Sequence, residues 1–128
     1  MENIKINFFV ICKEVIMDKD SNSLSLISIF ENITSKSIPI TYPKFSIVVN
    51  FTVFKSTDLK CSIRVNNPSN EEILKSQEFS IKTNGENQKI QLLNHFINTP
   101  FNIEGIHLIN LIINNDEVSS IPLTIKKN

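Results

Sequence analysis

An all-β domain is the fold class this sequence predicts, and three observations carry the prediction. The composition is rich in Ile, Phe, Val and Thr, while glycine occurs twice and tryptophan is absent, a balance suited to pleated surfaces. Apolar residues recur at every second position in run after run, the period of a half-buried strand. Turn-forming residues separate those runs about every ten residues, the spacing of sandwiches and barrels. Together they predict an immunoglobulin-like antiparallel β-sandwich of about seven to nine strands, with at most one short helical turn. The 128 residues are read as one domain, 1–128, large enough to bury a core without disulfides or metal.

The elements follow in chain order. "FFVIC", Phe8 to Cys12, is read as a core strand; at a sheet edge it would need blunting by Lys5, Asn7, Lys13 and Glu14. "DKDSN" turns the chain into "NSLSLISIFENI", where Ser25 alternates with Leu24 and Leu26 as the wet face of a strand. The alternation slips at Leu26–Ile27, which reads as a bulge or as passage from half-covered to fully covered. The polar "ENITSKSIPI" continues as an edge, and Pro39 and Pro43 in "SIPITYPKF" predict an extended, unpaired crossover between sheets. Phe45, Ile47, Val49, Phe51 and Val53 alternate through the next strand, and Leu59, Cys61, Ile63 and Val65 through the one after it.

"NNPSN" ends that strand. Ser69 and Glu72 have capping-box spacing, but only Ile73 and Leu74 would give a helix an apolar face, so Glu72 to Lys75 is read as a short strand. Phe79 and Ile81 mark another, and Asn84-Gly85 is the strongest hairpin signal. Ile90 and Leu92 begin a strand, followed by an irregular "LLNHFINTPF" that Pro100 should end. "IHLINLII" is apolar on both parities, as a central strand would be. Asn114 to Asp116 should turn the last hairpin, closed by Ile121, Leu123 and Ile125. With glycine so scarce, Asn and Asp are expected at positive-φ positions. The core is expected to include Cys12, Ile29, Val49, Ile63, Leu92 and Leu111.

Chemistry-bearing patterns are sparse. Thirteen basic residues balance thirteen acidic ones and Arg64 is the sole arginine, which argues against nucleic-acid and membrane partners. Cys12 and Cys61 sit at apolar strand positions and are read as reduced thiols. Neither they nor His95 and His107 have the close-spaced partner a zinc site needs. There is no GxSxG elbow, P-loop or dinucleotide fingerprint, and Gly85 and Gly105 are isolated. The acidic pairs, such as Asp18 with Asp20 and Glu71 with Glu72, read as solvated turns rather than a calcium site. No enzyme activity, metal or cofactor is therefore expected. "MENIKINFFVICKEV" lacks a signal-peptide pattern and no run has transmembrane length, so a cytoplasmic protein is expected.

The order of segments resembles a family of small, uncharacterised bacterial and phage-encoded β-sandwich proteins. The resemblance rests on "ICKEV", on "LSLISIF" for a usual "LSLIGIF", on "SIPITYPKF" for a proline-containing crossover, and on "GIHLINLIINNDEVSSIPLTI" for a "G.Y.F.I.VNG…IPL.V" hairpin. It covers Ile4 to Ile125 and has two departures. Ser28 stands where the pattern has glycine, and the aromatic after Gly105 is replaced by Ile106-His107, which weakens the expectation of an aromatic plug in the core. The resemblance implies a phage or mobile-element setting and transfers no activity or site residues.

The functional expectation is a non-catalytic module that binds another protein or assembles with itself. The alternative is loop-based binding of a small ligand or carbohydrate, against which the single tyrosine and absent tryptophan count. The candidate interaction surface is Ser25, Ser28, Asn32, Tyr42 and His107. His107 should point away from the face of Ile106 and Leu108 and be partly exposed; Tyr42 either anchors a partner or covers the end of the sandwich.

Overall fold

A computed structural model describes residues 3–128. Ten strands follow one another: β1 (Ile4–Met17), β2 (Leu24–Ile29), β3 (Asn32–Ser35), β4 (Ile40–Val53), β5 (Asp58–Asn66), β6 (Glu72–Lys75), β7 (Phe79–Lys82), β8 (Gln88–Phe101), β9 (Gly105–Ile113) and β10 (Asp116–Lys127). One sheet has the order β2-β1-β4-β8, and the other β3-β10-β9-β5-β6, with β7 also pairing β5. No helix occurs among the described residues. The class is the expected β-sandwich, with one strand more than the alternating runs indicate. The addition is β3, too short and polar to show a period, and it pairs with β10 in parallel, a departure from an all-antiparallel sandwich.

The inward side chains follow the period-two pattern. Phe45, Ile47, Val49, Phe51 and Val53 of β4 meet Leu59, Cys61, Ile63 and Val65 of β5 and Ile109, Leu111 and Ile113 of β9 in one core. Of the six expected core residues, Cys12, Val49, Ile63, Leu92 and Leu111 are buried. Cys12 lies on the other face of its sheet from Ile11, beside Ser46, with which it is paired. Ile29 is the correction: it is 58% exposed, because it pairs with Cys12 and so shares the outer face of the sheet, on the edge strand β2.

Asparagine does the work of glycine. Among the described residues seven non-glycines have positive φ, and six are Asn22, Asn70, Asn87, Asn98, Asn114 and Asn115. Asn114 and Asn115, with φ of 50° and 68°, form the two-residue turn between β9 and β10, as the sequence predicts. Asn84-Gly85 does not turn a hairpin. The chain there passes from β7, paired with β5, to β8, paired with β4, so it crosses between sheets. Pro100 does not end β8 either. Because β8 is an edge strand, a proline that lacks an N–H is tolerated within it. Likewise Pro39 and Pro43 do not mark an unpaired crossover throughout: Ile40 to Tyr42 pair with β8 on one side, where β1 no longer reaches β4.

The seventh positive φ is Ser28, at 56°. The pairing of β1 with β2 keeps its register from Met17–Leu24 to Cys12–Ile29, so the irregularity is a backbone twist at Ser28 rather than the expected bulge at Leu26–Ile27. Left-handed backbone costs a non-glycine residue about 1–2 kcal/mol, and this explains the glycine of the resembling pattern. Ser28→Gly is expected to stabilise β2 by about 0.5–1 kcal/mol once the extra unfolded-state entropy of glycine is offset. Slower amide exchange from Leu24 to Ile29 would show it; faster exchange would contradict it.

Candidate functional site

Four of the five expected surface residues reach the surface, on β2, β3 and the start of β4, and the fifth is buried. Ser25 and Ser28 are exposed on β2, Asn32 is exposed on β3, and Tyr42 is half-buried at the start of β4. His107 is fully buried, which corrects the expectation of a partly exposed residue. Its parity opposite Ile106 and Leu108 is as expected, but it is these two that face solvent. The ring of His107 packs edge-on against Phe101 with centroids 5.2 Å apart, and its Nδ1 lies 3.2 Å from the Gly105 carbonyl. An aromatic ring thus does fill this core position. Gly105 itself is held by φ of 127° and by Pro68 Cγ, 2.9 Å from where a Cβ would stand.

Ser25 and Ser28 belong to an arm. β1 pairs with β4 only as far as Cys12–Ser46, whereas its pairing with β2 continues to Met17–Leu24. The five residues Lys13 to Met17, paired with β2, therefore extend about 17 Å past the last residue bonded to β4. Asp18 fixes the tip: its Oδ1 accepts from the Asp20 N–H at 2.8 Å, and Asn22 takes the left-handed conformation. On the arm Ile16 and Met17 are 52% and 53% exposed, and Ile27 is 39% exposed. Val15, Leu24 and Leu26 are half-buried without joining the core.

At the foot of the arm lies a cleft of about 340 Å³ lined by Lys13, Phe30, Asn32, Ile33, Thr34 and Tyr42. It forms where the chain crosses from β2 to β3, bringing an edge of the second sheet up to β1 and β4. Aromatic neighbours fix the ring of Tyr42, with Phe30 at 5.9 Å and Phe45 edge-on at 6.0 Å. Burial pushes the Tyr42 hydroxyl up from its ordinary pKa, so it remains a donor at neutral pH. Asn32 and Tyr42 are legible from sequence as candidate surface residues; Lys13 and Thr34 are not, since only the crossover brings them together.

Nucleophilic groups elsewhere are sheltered. Burial pushes the Cys61 thiol up to about 11, with Glu78 adding to the effect, and burial raises Cys12 as well. Both are free thiols, held protonated and away from solvent. Ser46 Oγ and His95 Nδ1 are 2.7 Å apart across paired strands, a contact without a sequence signal. Ser46 is fully buried, so no substrate carbonyl can reach it, and the contact satisfies a buried hydroxyl instead. Arg64 and Glu72 form an ion pair at 2.7 Å between β5 and β6. Among the described residues no three His, Cys, Asp or Glu side chains cluster as metal ligands would, and no helix is long and apolar enough to cross a membrane.

The model of a family of unknown function, DUF6941, matches residues 7–126. No curated protein matches the chain. Among solved structures the fold is similar to part of the Pseudomonas fluorescens alkylpurine DNA glycosylase AlkC bound to DNA containing an abasic site analog. That match has a TM-score of 0.58 and 10% identity over 97% of this chain and 30% of the other. The C-terminal domain of wzt is similar at a TM-score of 0.52 and 8% identity, over 98% of this chain and 75% of that one. A Listeria innocua β-glucosidase in complex with isofagomine is similar at 0.52 and 4% identity, over 75% and 15%. The chain thus spans only a domain-sized part of the glycosylase and the glucosidase. At such identities the likeness is one of fold.

Proposed function

The chain belongs to the DUF6941 family, whose function is unknown, and we propose that it is a non-catalytic protein-interaction module that docks through the β1–β2 arm. One observation carries this reading. Ile16, Met17 and Ile27 stand in solvent on a two-stranded arm, with Ile29 at its base, and none of the four belongs to the core. A two-stranded ribbon is marginal on its own in water, and burying each such side chain in a partner is worth about 1.5–3 kcal/mol. The outer edge of β2 adds unpaired backbone groups to which another strand can hydrogen-bond. The partner is another protein or a second copy of this chain. A cytoplasmic location and a phage or mobile-element setting are part of the proposal, and the second rests on the sequence resemblance alone.

The test replaces Ile16 and Ile27 by lysine, exposed positions whose substitution should leave the core intact. Light scattering over a range of concentrations and affinity capture from the native host are compared for the two proteins. The unmodified protein is expected to self-associate or to retain a specific protein, and the double variant to lose that association by at least about tenfold. Equal oligomeric states together with an equal set of captured proteins would overturn the reading.

A further inference from the structure

We propose that the cleft at the foot of the arm is a binding site for a small carboxylate with an apolar body. The chemistry of the lining points there. Lys13, Asn32, Thr34 and Tyr42 each bring a hydrogen-bond donor, and Lys13 is the only charged residue among the six that line the cleft. Among the described residues none of these four side chains makes a hydrogen bond or ion pair with the protein, so all four are free to meet a ligand. The Lys13 ammonium, with hydroxyl and amide donors beside it, is complementary to a monoanion. Phe30 and Ile33 provide an apolar surface for the rest of the ligand. The volume of about 340 Å³ lies within the range of small-molecule sites.

The same lining argues against a phosphate. Dianionic phosphate is held by arginine forks, backbone nests or helix N-termini. The chain's one arginine, Arg64 on β5, is paired with Glu72 of β6, and no helix is present among the described residues. A single ammonium with two hydroxyls and an amide fits a carboxylate better. That carboxylate belongs either to a free small acid or to the C-terminus of an extended peptide. The site does not depend on docking through the arm, so either idea can fail without the other.

Tyr42 is the only tyrosine and tryptophan is absent, so intrinsic emission reports on this cleft alone. Titrating the full chain with butyrate is expected to change Tyr42 emission saturably, while butyramide, its neutral counterpart, leaves it unchanged. Lys13→Met is expected to weaken butyrate binding by about fivefold, the scale of one partly exposed ion pair. Its unfolding transition should stay where it was, since Lys13 is exposed. Trialanine with a free C-terminus, compared with the amidated peptide, separates the sources. Tighter binding of the free peptide than of butyrate supports a chain terminus, and the reverse order supports a free acid. Equal responses to butyrate and butyramide, unchanged affinity in Lys13→Met, or tighter binding of inorganic phosphate than of butyrate would each overturn the proposal.

Discussion

Replacing Phe45 by alanine is expected to cost about 3–5 kcal/mol, the largest loss of any single truncation proposed for this protein. Phe45 is fully buried on β4, which lies between β1 and β8 in its sheet. Its ring joins three others, with centroids 6.0 Å from Tyr42, 5.4 Å from Phe96 and 6.4 Å from Phe101. Truncation removes the burial of an aromatic side chain, leaves a cavity between two sheets that cannot collapse onto each other, and severs aromatic pairs worth about 0.5–1.5 kcal/mol each. A domain of this size has about 5–15 kcal/mol in total, so the variant should sit near the limit of folding. Urea unfolding of Phe45→Ala beside Phe45→Leu measures it. The leucine variant should retain well over half of the lost stability; a loss below about 1 kcal/mol for alanine would mean that the aromatic cluster does not hold the core together.

What the sequence makes legible and what it leaves hidden divide along a physical line. Period-two burial is a local property, so the inward faces of β4 and β5 can be read directly, and so can the bounds of β6 at Glu72 and Lys75. The use of asparagine at left-handed positions is also local, because it depends on what one residue tolerates. Sheet membership is not local. Asn84-Gly85 has the composition of a hairpin turn, yet whether the next strand folds back depends on where Ile90 and Leu92 can be buried, and that is in the opposite sheet. Ile29 looks like core for the same reason: nothing in "LSLISIF" records that it pairs with Cys12 on the outer face, nor that β4 stops pairing with β1 at Ser46. The arm is therefore a consequence of strand length mismatch rather than of any motif. Of the cleft, Asn32 and Tyr42 could be anticipated as candidate surface residues, whereas Lys13 and Thr34 needed the parallel pairing of β3 with β10 to place them.

Acidification is expected to destabilise the protein through His107, and substitution of that residue is expected to remove the effect. "IHLINLII" is apolar on both parities, so polarity alone suggests that the imidazole faces water; instead it occupies the core beneath Ile106 and Leu108. Its Nδ1 is directed to the Gly105 carbonyl, and its Nε2 is buried without a partner, so a proton added there would carry charge into an apolar setting beside Phe101. Burial accordingly lowers its pKa below the ordinary 6.5, with the Gly105 carbonyl opposing only in part. The unfolded chain takes up the proton at about 6.5 while the folded chain does not. Above that pH both states are neutral and His107 adds no pH dependence. As pH falls below it, the unfolded state binds more protons, and stability drops by up to about 1.4 kcal/mol per pH unit until the folded pKa is reached. Most carboxylates are still ionised at pH 5.5, so urea midpoints at pH 7.5 and 5.5 isolate the histidine contribution. His107→Phe should lose it, because an aromatic ring that cannot be protonated then fills the same space against Phe101. An unchanged difference between the two pH values in His107→Phe would place the acid sensitivity elsewhere.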